Sequence, residues 1–293
     1  MRRTVITLLA LFAVSCLSAQ CYEPEARGEI VRHTCYSLSY IEEHEQPEWV
    51  YYLLKSEYVS GGVKRTNDFR PDGAVSTGSA QLSDYKGSGY DRGHLCPAGD
   101  MKQSRQAMSE TFFLSNMSPQ VGAFNRGVWS SLEGQVRQWA LALDSVYVIT
   151  GPVFVDNIGA IGASRVTVPG YYYKVLYSPA RGGMMAAFLL PNASGLGKWT
   201  EYAVAVDSVE AMTGIDFFSQ LPDSVEARLE AVAGCAAWLS LRPAAGSENG
   251  TSADGQLSRA VQCKGIAKST GKRCRSMTRN ANGYCNAHQN QAR

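Results

Sequence analysis

Asp91-Arg92-Gly93-His94 sets an imidazole two residues from a guanidinium. Imidazole exchanges a proton near neutral pH, and a guanidinium grips phosphate through a planar fork of donors. Downstream stand Asn116, Asn125 and Glu133. Cleaving a phosphodiester requires a water made nucleophilic, that water held opposite the leaving oxygen, and positive charge where the transition state gains negative charge. In this set His94 would take the proton from water, and Arg92 would orient phosphate or answer its charge. Asn125 offers an uncharged amide oxygen to a hard divalent cation, which keeps the cation's full charge available. So sparse a protein shell suits Mg²⁺, with Mn²⁺ able to substitute. Glu133, eight residues on, lies about 12 Å along an ideal helix, too far to share one small ion directly, so it would hydrogen-bond water on the ion. Asn116 holds either the histidine loop or the phosphate. Taken singly these residues read as a turn, a helix cap and solvated surface; their joint spacing is what points to chemistry.

The elements that must carry them can be outlined from periodicity. Trp49 to Leu54 has the aromatic and β-branched content of a strand, Lys64 to Ser83 reads as a long loop, and Ser104 to Glu110 forms a short helix before a strand-like Thr111 to Asn116. Asn125 stands near the start of a longer helix whose Val128, Leu132, Val136 and Ala140 recur at four and define the buried side. Asn125, Trp129 and Glu133 also recur at four on another sector, so the polar pair Asn125 and Glu133 can approach one groove while the apolar row anchors the helix. Val146 to Thr150, ended by Gly151-Pro152, then Val166 to Pro169, Tyr171 to Tyr177 and Met184 to Leu190 make a β-rich middle, with Gly182-Gly183 as a tight reversal. Val225 to Leu239 supplies a closing helix. The pattern predicts an α+β domain with helices against a central, predominantly antiparallel sheet.

Asp91-Arg92-Gly93-His94, Asn116-Met117-Ser118-Pro119-Gln120, and Phe124-Asn125-Arg126-Gly127-Val128-Trp129 followed by Glu133 resemble the DNA/RNA non-specific endonucleases. That family includes the Serratia nuclease and endonuclease G and has a beta-beta-alpha metal active site. The resemblance implies His94 as general base, Asn125 as direct metal ligand, Glu133 as a contact to the metal through water, and Arg92 as the motif's active-site arginine. Arg65 to Asp72 looks like the family's upstream segment, which makes Arg65 either a further phosphate contact or a structural ion pair. It implies coverage from about Cys35 to Leu239, and a Mg²⁺-dependent enzyme that cuts DNA and RNA and leaves 5′-phosphates. The alternatives are a nucleic-acid-binding protein that has lost turnover and a specialised phosphodiesterase. Nothing in the residues decides between a monomer and a homodimer.

At 293 residues and 18% charged, the chain has the size and composition of one substantial folded domain with a smaller appendage. Arg2-Arg3 and the short apolar run Val5 to Val14 read as an export signal over residues 1–20, cleaved near Gln20 or, alternatively, made into a lipid anchor at Cys16. Export places the protein in the periplasm or outside the cell, or on the outer membrane in the anchored form. No later stretch reaches transmembrane length without polar interruption. The net charge of +2 conceals an uneven distribution: eight basic residues and no carboxylate fall within Arg259 to Arg293, leaving 18 basic and 26 acidic residues from Thr4 to Ser258. An acidic body must concentrate positive groups locally to hold a polyanion, and the basic tail could add attraction.

The endonuclease domain is expected over residues 21–241, followed by a Pro-, Gly- and Ala-rich linker over 242–260 and a small basic module over 261–293. In that module Cys263, Cys274, Cys285 and His288 are separated by ten, ten and two residues. Three thiolates and an imidazole satisfy tetrahedral zinc and would order a segment too short for a core of its own. Disulfide formation after export is the competitor. Among the body cysteines Cys21, Cys35, Cys96 and Cys235, a bridge at Cys96 would brace the histidine loop; the other reading is a buried thiol.

Overall fold

The computed structural model describes residues 21–243, 261–266, 271–274, 276–278, 282–285, 288 and 291. The expected signal segment and nearly all of the expected linker lie outside the described residues. The chain divides into two compact units, Met1–Ser247 and Glu248–Arg293.

In the larger unit, β1 (Glu29–Arg32), β2 (Ser37–Ile41), β3 (Gln46–Lys55), β6 (Ser145–Ile161), β7 (Val166–Ser178), β8 (Met184–Pro191) and β9 (Ala203–Val204) form one sheet in the order β1-β2-β3-β6-β7-β8-β9. A separate ribbon pairs β4 (Tyr90–His94) with β5 (Met117–Val121). All these ladders are antiparallel. The helices are α1 (Ser56–Val59), α2 (Leu82–Tyr85), α3 (Arg105–Glu110), α4 (Gly122–Phe124), α5 (Ser130–Leu143), α6 (Val206–Thr213), α7 (Asp223–Glu230) and α8 (Ala236–Leu239). The expected α+β fold is therefore present, and β4, β5 and α5 follow one another as strand, strand and helix. No helix among the described residues is long and apolar enough to cross a membrane.

Side chains alternate across a strand, so a sheet covered on both faces reads as continuous apolar sequence. One face carries Tyr52, Val148, Tyr172 and Leu176 against Leu132, Val136, Trp139 and Ala140 of α5. The other carries Trp49, Ile149, Tyr173 and Val175 against Val206 and Val209 of α6, Phe217, and Leu229 of α7. Lys174 shares the parity of Tyr172 and Leu176, which turns it toward the α5 side.

Several expected boundaries move. Strand β6 continues through Gly151-Pro152 to Ile161, because its ladder with β3 ends at Thr150 and the prolyl nitrogen, opposite Tyr172 of β7, faces no β3 partner. Val166–Pro169 and Tyr171–Tyr177 are one strand for the same reason: only β6 and β8 make demands on it. Thr111 to Asn116 is not a strand. Turn bonds from Phe113 N–H to Glu110 O and Asn116 N–H to Phe113 O curl it, and the Asn116 side chain bonds back to Thr111 O at 2.8 Å. The closing helix is two pieces, α7 and α8, separated at Gly234, whose φ of +91° no continuing helix adopts.

Beyond β3 the paired β6 and β7 run on as a two-stranded arm. Its end, Ile161, Val166 and Val168, packs against Tyr85, Leu114 and Met117 beneath the β4–β5 ribbon.

Candidate active site

Strand β4 ends at His94, paired with Met117 of β5. Gly93 is required by space: a Cβ there would lie 2.1 Å from the amide carbon of the buried Gln120. His94 is 9% exposed and packs against two phenylalanine rings. Phe112 stands edge-on at 5.0 Å and Phe69 at 5.7 Å, and Nε2 is buried with no hydrogen-bond partner among the described residues. The same two rings carry the guanidiniums, Arg65 over Phe112 at 4.7 Å and Arg92 over Phe69 at 4.0 Å. Burial, then Arg65 and Arg92, push the imidazole down to about 3, so at neutral pH it is an uncharged base. The remaining described histidines of the body are engaged elsewhere: His33 Nε2 lies 2.9 Å from Asp72, and His44 stacks on Phe154 at 3.8 Å.

Asn116 is fully buried and saturated with backbone. Its Oδ1 accepts from Cys96 N–H at 2.8 Å, and Nδ2 donates to Cys96 O at 2.9 Å and Thr111 O at 2.8 Å. Of the two roles open for it, the geometry supports holding the histidine loop; no atom is left for phosphate. Cys96 beside it is a buried thiol, and none of Cys21, Cys35, Cys96 or Cys235 forms a disulfide.

Asn125 does not begin a regular helix. Between α4 and α5 the chain makes one wide turn, Asn125–Trp129, broken at Gly127 with φ −105° and ψ −108°. The straight-helix separation from Glu133 therefore does not apply. Trp129, at the end of that turn, is 1% exposed and packs on Phe124 and Tyr172. Asn125 Nδ2 donates to Asp91 Oδ2 at 3.0 Å, while Asp91 Oδ1 accepts from Arg126 at 3.1 Å. Phe69, Tyr85, Tyr90, Asp91, Arg92 and Asn125 line a cleft of 470 Å³.

Glu133 lies on the first turn of α5, partly buried. Burial pushes its carboxyl up to about 7 against the pull of Lys174; Asp100 raises it further, and Arg137 and Arg65 oppose. Arg65 thus bears on both His94 and Glu133, and among the described residues it makes no ion pair; its Nε donates to Asn67 Oδ1 at 2.7 Å. One turn further along α5, Arg137 Nη1 donates at 2.8 Å to Asp100, which also accepts from Tyr52 Oη at 2.9 Å. This clamp ties α5 to the segment after His94. The structure therefore brings His94, Arg92 and Arg65 onto one aromatic platform, Arg92 and Asn125 into one cleft, and Arg65 and Glu133 into electrostatic reach.

Sequence reasoning missed Asp91 as the partner of Asn125, the Asp100–Arg137 clamp and Lys174. Lys174 is 1% exposed, sits 4.8 Å from the Trp129 ring, and has no hydrogen-bond partner for Nζ among the described residues. A lysine at an inward position of the otherwise apolar Tyr171 to Tyr177 was the available signal.

For a divalent ion the residues present fit. The bond to Asp91 fixes the Asn125 amide so that Oδ1, the hard donor, is the atom left over, and Glu133, within electrostatic reach of Arg65, makes no ion-pair contact among the described residues.

In the smaller unit, Cys263, Cys274, Cys285 and His288 bring their ligand atoms within 4.8 Å of one another. Cys274 Sγ and Cys285 Sγ are 4.0 Å apart, and His288 Nδ1 is 3.6 Å from Cys263 Sγ and 3.2 Å from Cys285 Sγ. A zinc tetrahedron with bonds of about 2.3 Å has edges near 3.8 Å; a disulfide needs about 2.05 Å. Backbone N–H groups of Gly265 and Cys285 point at Cys263 Sγ at 3.3 and 3.1 Å, the environment of a thiolate. A Cβ on Gly265 would lie 2.5 Å from His288, so glycine is what lets the imidazole close the cluster. Strands β10 (Val261–Gln262) and β11 (Met277–Thr278) pair antiparallel beside it.

Residues 18–224 match the family described as DNA/RNA non-specific endonuclease. The chain is 37% identical over 232 residues to nuclease C1 of Cunninghamella echinulata var. echinulata, covering 73% of this chain and 92% of that protein. It is 34% identical to human mitochondrial endonuclease G (67% and 66% covered) and 36% identical to mouse mitochondrial nuclease EXOG (70% and 61%), so it spans under two thirds of these longer relatives. The crystal structure of the EndoG/EndoGI complex superposes with a TM-score of 0.62 at 33% identity, covering 67% of this chain and 87% of that one. With the motif residues gathered on a strand–strand–helix unit and the match spanning most of the body, the chain belongs to the DNA/RNA non-specific endonuclease family.

Proposed function

We propose that this hydrolase of nucleic acids is a Mg²⁺-dependent endonuclease that cleaves DNA and RNA phosphodiesters and leaves 5′-phosphates, with Mn²⁺ able to replace Mg²⁺. The observation that carries the reading is an uncharged imidazole, its Nε2 unpartnered among the described residues, packed on the two rings that carry the Arg65 and Arg92 guanidiniums, with Arg92 lining the cleft that holds Asn125. His94 accepts the proton of the attacking water. Arg92, and with it Arg65, supplies fixed donors for the phosphate oxygens; stacking on Phe69 and Phe112 keeps both planes oriented before substrate arrives. An arriving phosphate also brings negative charge that offsets the two guanidiniums and makes protonation of His94 easier during turnover. Asn125 Oδ1 would hold the divalent ion directly and Glu133 would reach it through water; bound there, the ion supplies positive charge as the transition state becomes more negative. Asn116 positions the His94 loop, and Asp91 orients Asn125.

The smaller unit is read as a zinc module held by Cys263, Cys274, Cys285 and His288, its surface lysines and arginines adding attraction to the polyanion. The protein is read as exported, on the strength of Arg2-Arg3 and the apolar run that follows.

Digestion of supercoiled DNA tests the main reading. The mature protein should nick and degrade it only with Mg²⁺ or Mn²⁺ present, and Asn125→Ala and His94→Ala should each lose at least about 100-fold in rate. Cutting by Asn125→Ala at the original rate overturns the ligand assignment. Activity confined to a small phosphodiester, with DNA and RNA untouched, overturns the endonuclease reading.

A further inference from the structure

On the sheet face opposite α5, the helices α6 and α7 and the loop between them gather five carboxylates: Asp207, Glu210, Asp216, Glu226 and Glu230. Asp207 and Glu210 are three apart on α6, and Glu226 and Glu230 four apart on α7, spacings that put each pair on one helix face. One carboxylate oxygen each from Asp207, Glu210 and Glu230 lies within 4.8 Å of the others, and the same holds for Asp216, Glu226 and Glu230. Glu230 is common to both sets. It is only 7% exposed, and its Oε1 is buried with no hydrogen-bond partner; Oε1 of Glu226 is buried and unpartnered too. Glu210 Oε1 accepts from Phe217 N–H at 2.8 Å, which turns that side chain and leaves Oε2 to the cluster.

Among the described residues no side-chain cation pairs with these carboxylates. The groups that bear on Glu230 are Glu210, Glu226, Asp207 and Asp216, all acidic. Arg228, the basic residue of α7, reaches instead to Gly182 O at 3.4 Å. A buried carboxylate without hydrogen bonds or a counter-charge is costly, and a natural fold meets that cost with a proton or a cation.

We propose that Asp207, Glu210 and Glu230, backed by Asp216 and Glu226, form a Ca²⁺ site separate from the catalytic cleft, pinning α7 to α6. Ca²⁺ takes six to eight oxygens at about 2.3–2.6 Å, so carboxylate oxygens that all lie within 4.8 Å of one another can share one such ion. Mg²⁺ gives up its waters reluctantly and is seldom held by a set of several protein carboxylates, whereas Ca²⁺ accepts them. Glu230 supplies the buried anchor, and the exposed Asp207 and Asp216 leave the solvent side open for water ligands.

The test is calorimetric titration of CaCl₂ into the full chain carrying Asn125→Ala, which removes the direct ligand of the catalytic cleft. Roughly one Ca²⁺ per chain should bind, and Asp207→Asn or Glu230→Gln added to that background should weaken binding at least about 10-fold. Thermal melts of the same proteins should show a Ca²⁺-induced rise in Tm of several degrees that both added variants lose. No Ca²⁺ uptake by Asn125→Ala, or uptake undiminished by the added substitutions, overturns the site. Should Glu230→Gln misfold, the exposed Asp207→Asn decides the outcome.

Discussion

The carboxylate of Asp91 accepts a hydrogen bond from Asn125 Nδ2 at 3.0 Å and so decides which atom of that amide is left for an ion. Only the NH₂ end can donate to a carboxylate, so the oxygen is turned away from Asp91. The first residue of the Asp-Arg-Gly-His run therefore acts through a residue 34 positions later, and the two ends of the candidate centre are fastened together before any metal arrives.

Asp91→Ala frees the amide to rotate. The Mg²⁺ concentration needed for half-maximal DNA cleavage should rise about 10-fold or more, the usual effect of losing a partner that orients a ligand, while much of the rate returns at saturating metal. A metal titration of initial rates checks this; an unchanged midpoint would show that Asp91 does not orient the ligand.

Asp100 is 1% exposed and depends on Arg137 and Tyr52. Arg137→Ala leaves that carboxylate buried without its counter-charge and should lower the unfolding free energy by roughly 3 kcal/mol, measured by urea titration. Because the clamp joins α5 to the segment after His94, activity should fall as well, even where the variant remains fully folded.

His94 gives a pH-dependent stability of known sign. Its folded value is about 3 against an ordinary 6.5, so between those limits the unfolded chain binds the proton and the folded chain does not. Stability falls as pH drops through this window, by at most about 1.4 kcal/mol per pH unit from this group. In His94→Gln that contribution vanishes, and the difference in unfolding free energy between the two proteins should change between pH 6.5 and pH 4 and stay flat above pH 7.5. Parallel curves through the window would mean the imidazole is not held neutral.

Chelation should separate the two units. Stripping zinc should abolish the clustering of Cys263, Cys274, Cys285 and His288, seen as loss of their dispersed amide signals, while the nuclease body keeps its melting temperature within about 2 °C. Cys274→Ser should reduce bound zinc from roughly one per chain; zinc content unchanged by that substitution would sink the cluster assignment.

How much of this could be read from residues depended on how local the cause was. The inward rows of α5 and the buried strands were legible, because each rests on a single period. The ribbon β4–β5 was not, since Tyr90 to His94 has neither alternation nor β-branched content, and its pairing comes from a partner more than twenty residues away. His94, Asn125, Arg92 and Glu133 stood out by chemistry. Asp91 and Asp100 did not stand out as site residues because their partners lie more than thirty positions away in the chain, and Lys174 left only the trace of a charge within an apolar strand. Asn116 was found, but its saturation by Cys96 and Thr111 backbone could only be seen once the loop was folded. The break at Gly127 likewise left no periodic trace.

The arm formed by the outer halves of β6 and β7 works as a ruler for the centre it underlies. Since Ile161 and Val168 rest beneath Met117, the register partner of His94, its length sets the height at which the histidine is offered to a substrate. Strand faces alternate with every residue, so a one-residue insertion in the arm would turn its apolar tip to water and withdraw the support, whereas a matched two-residue insertion in both strands would keep the facing and shift the platform outward. Natural variation in reach toward a helical substrate could thus be achieved in pairs of residues, without touching a single group that performs the chemistry.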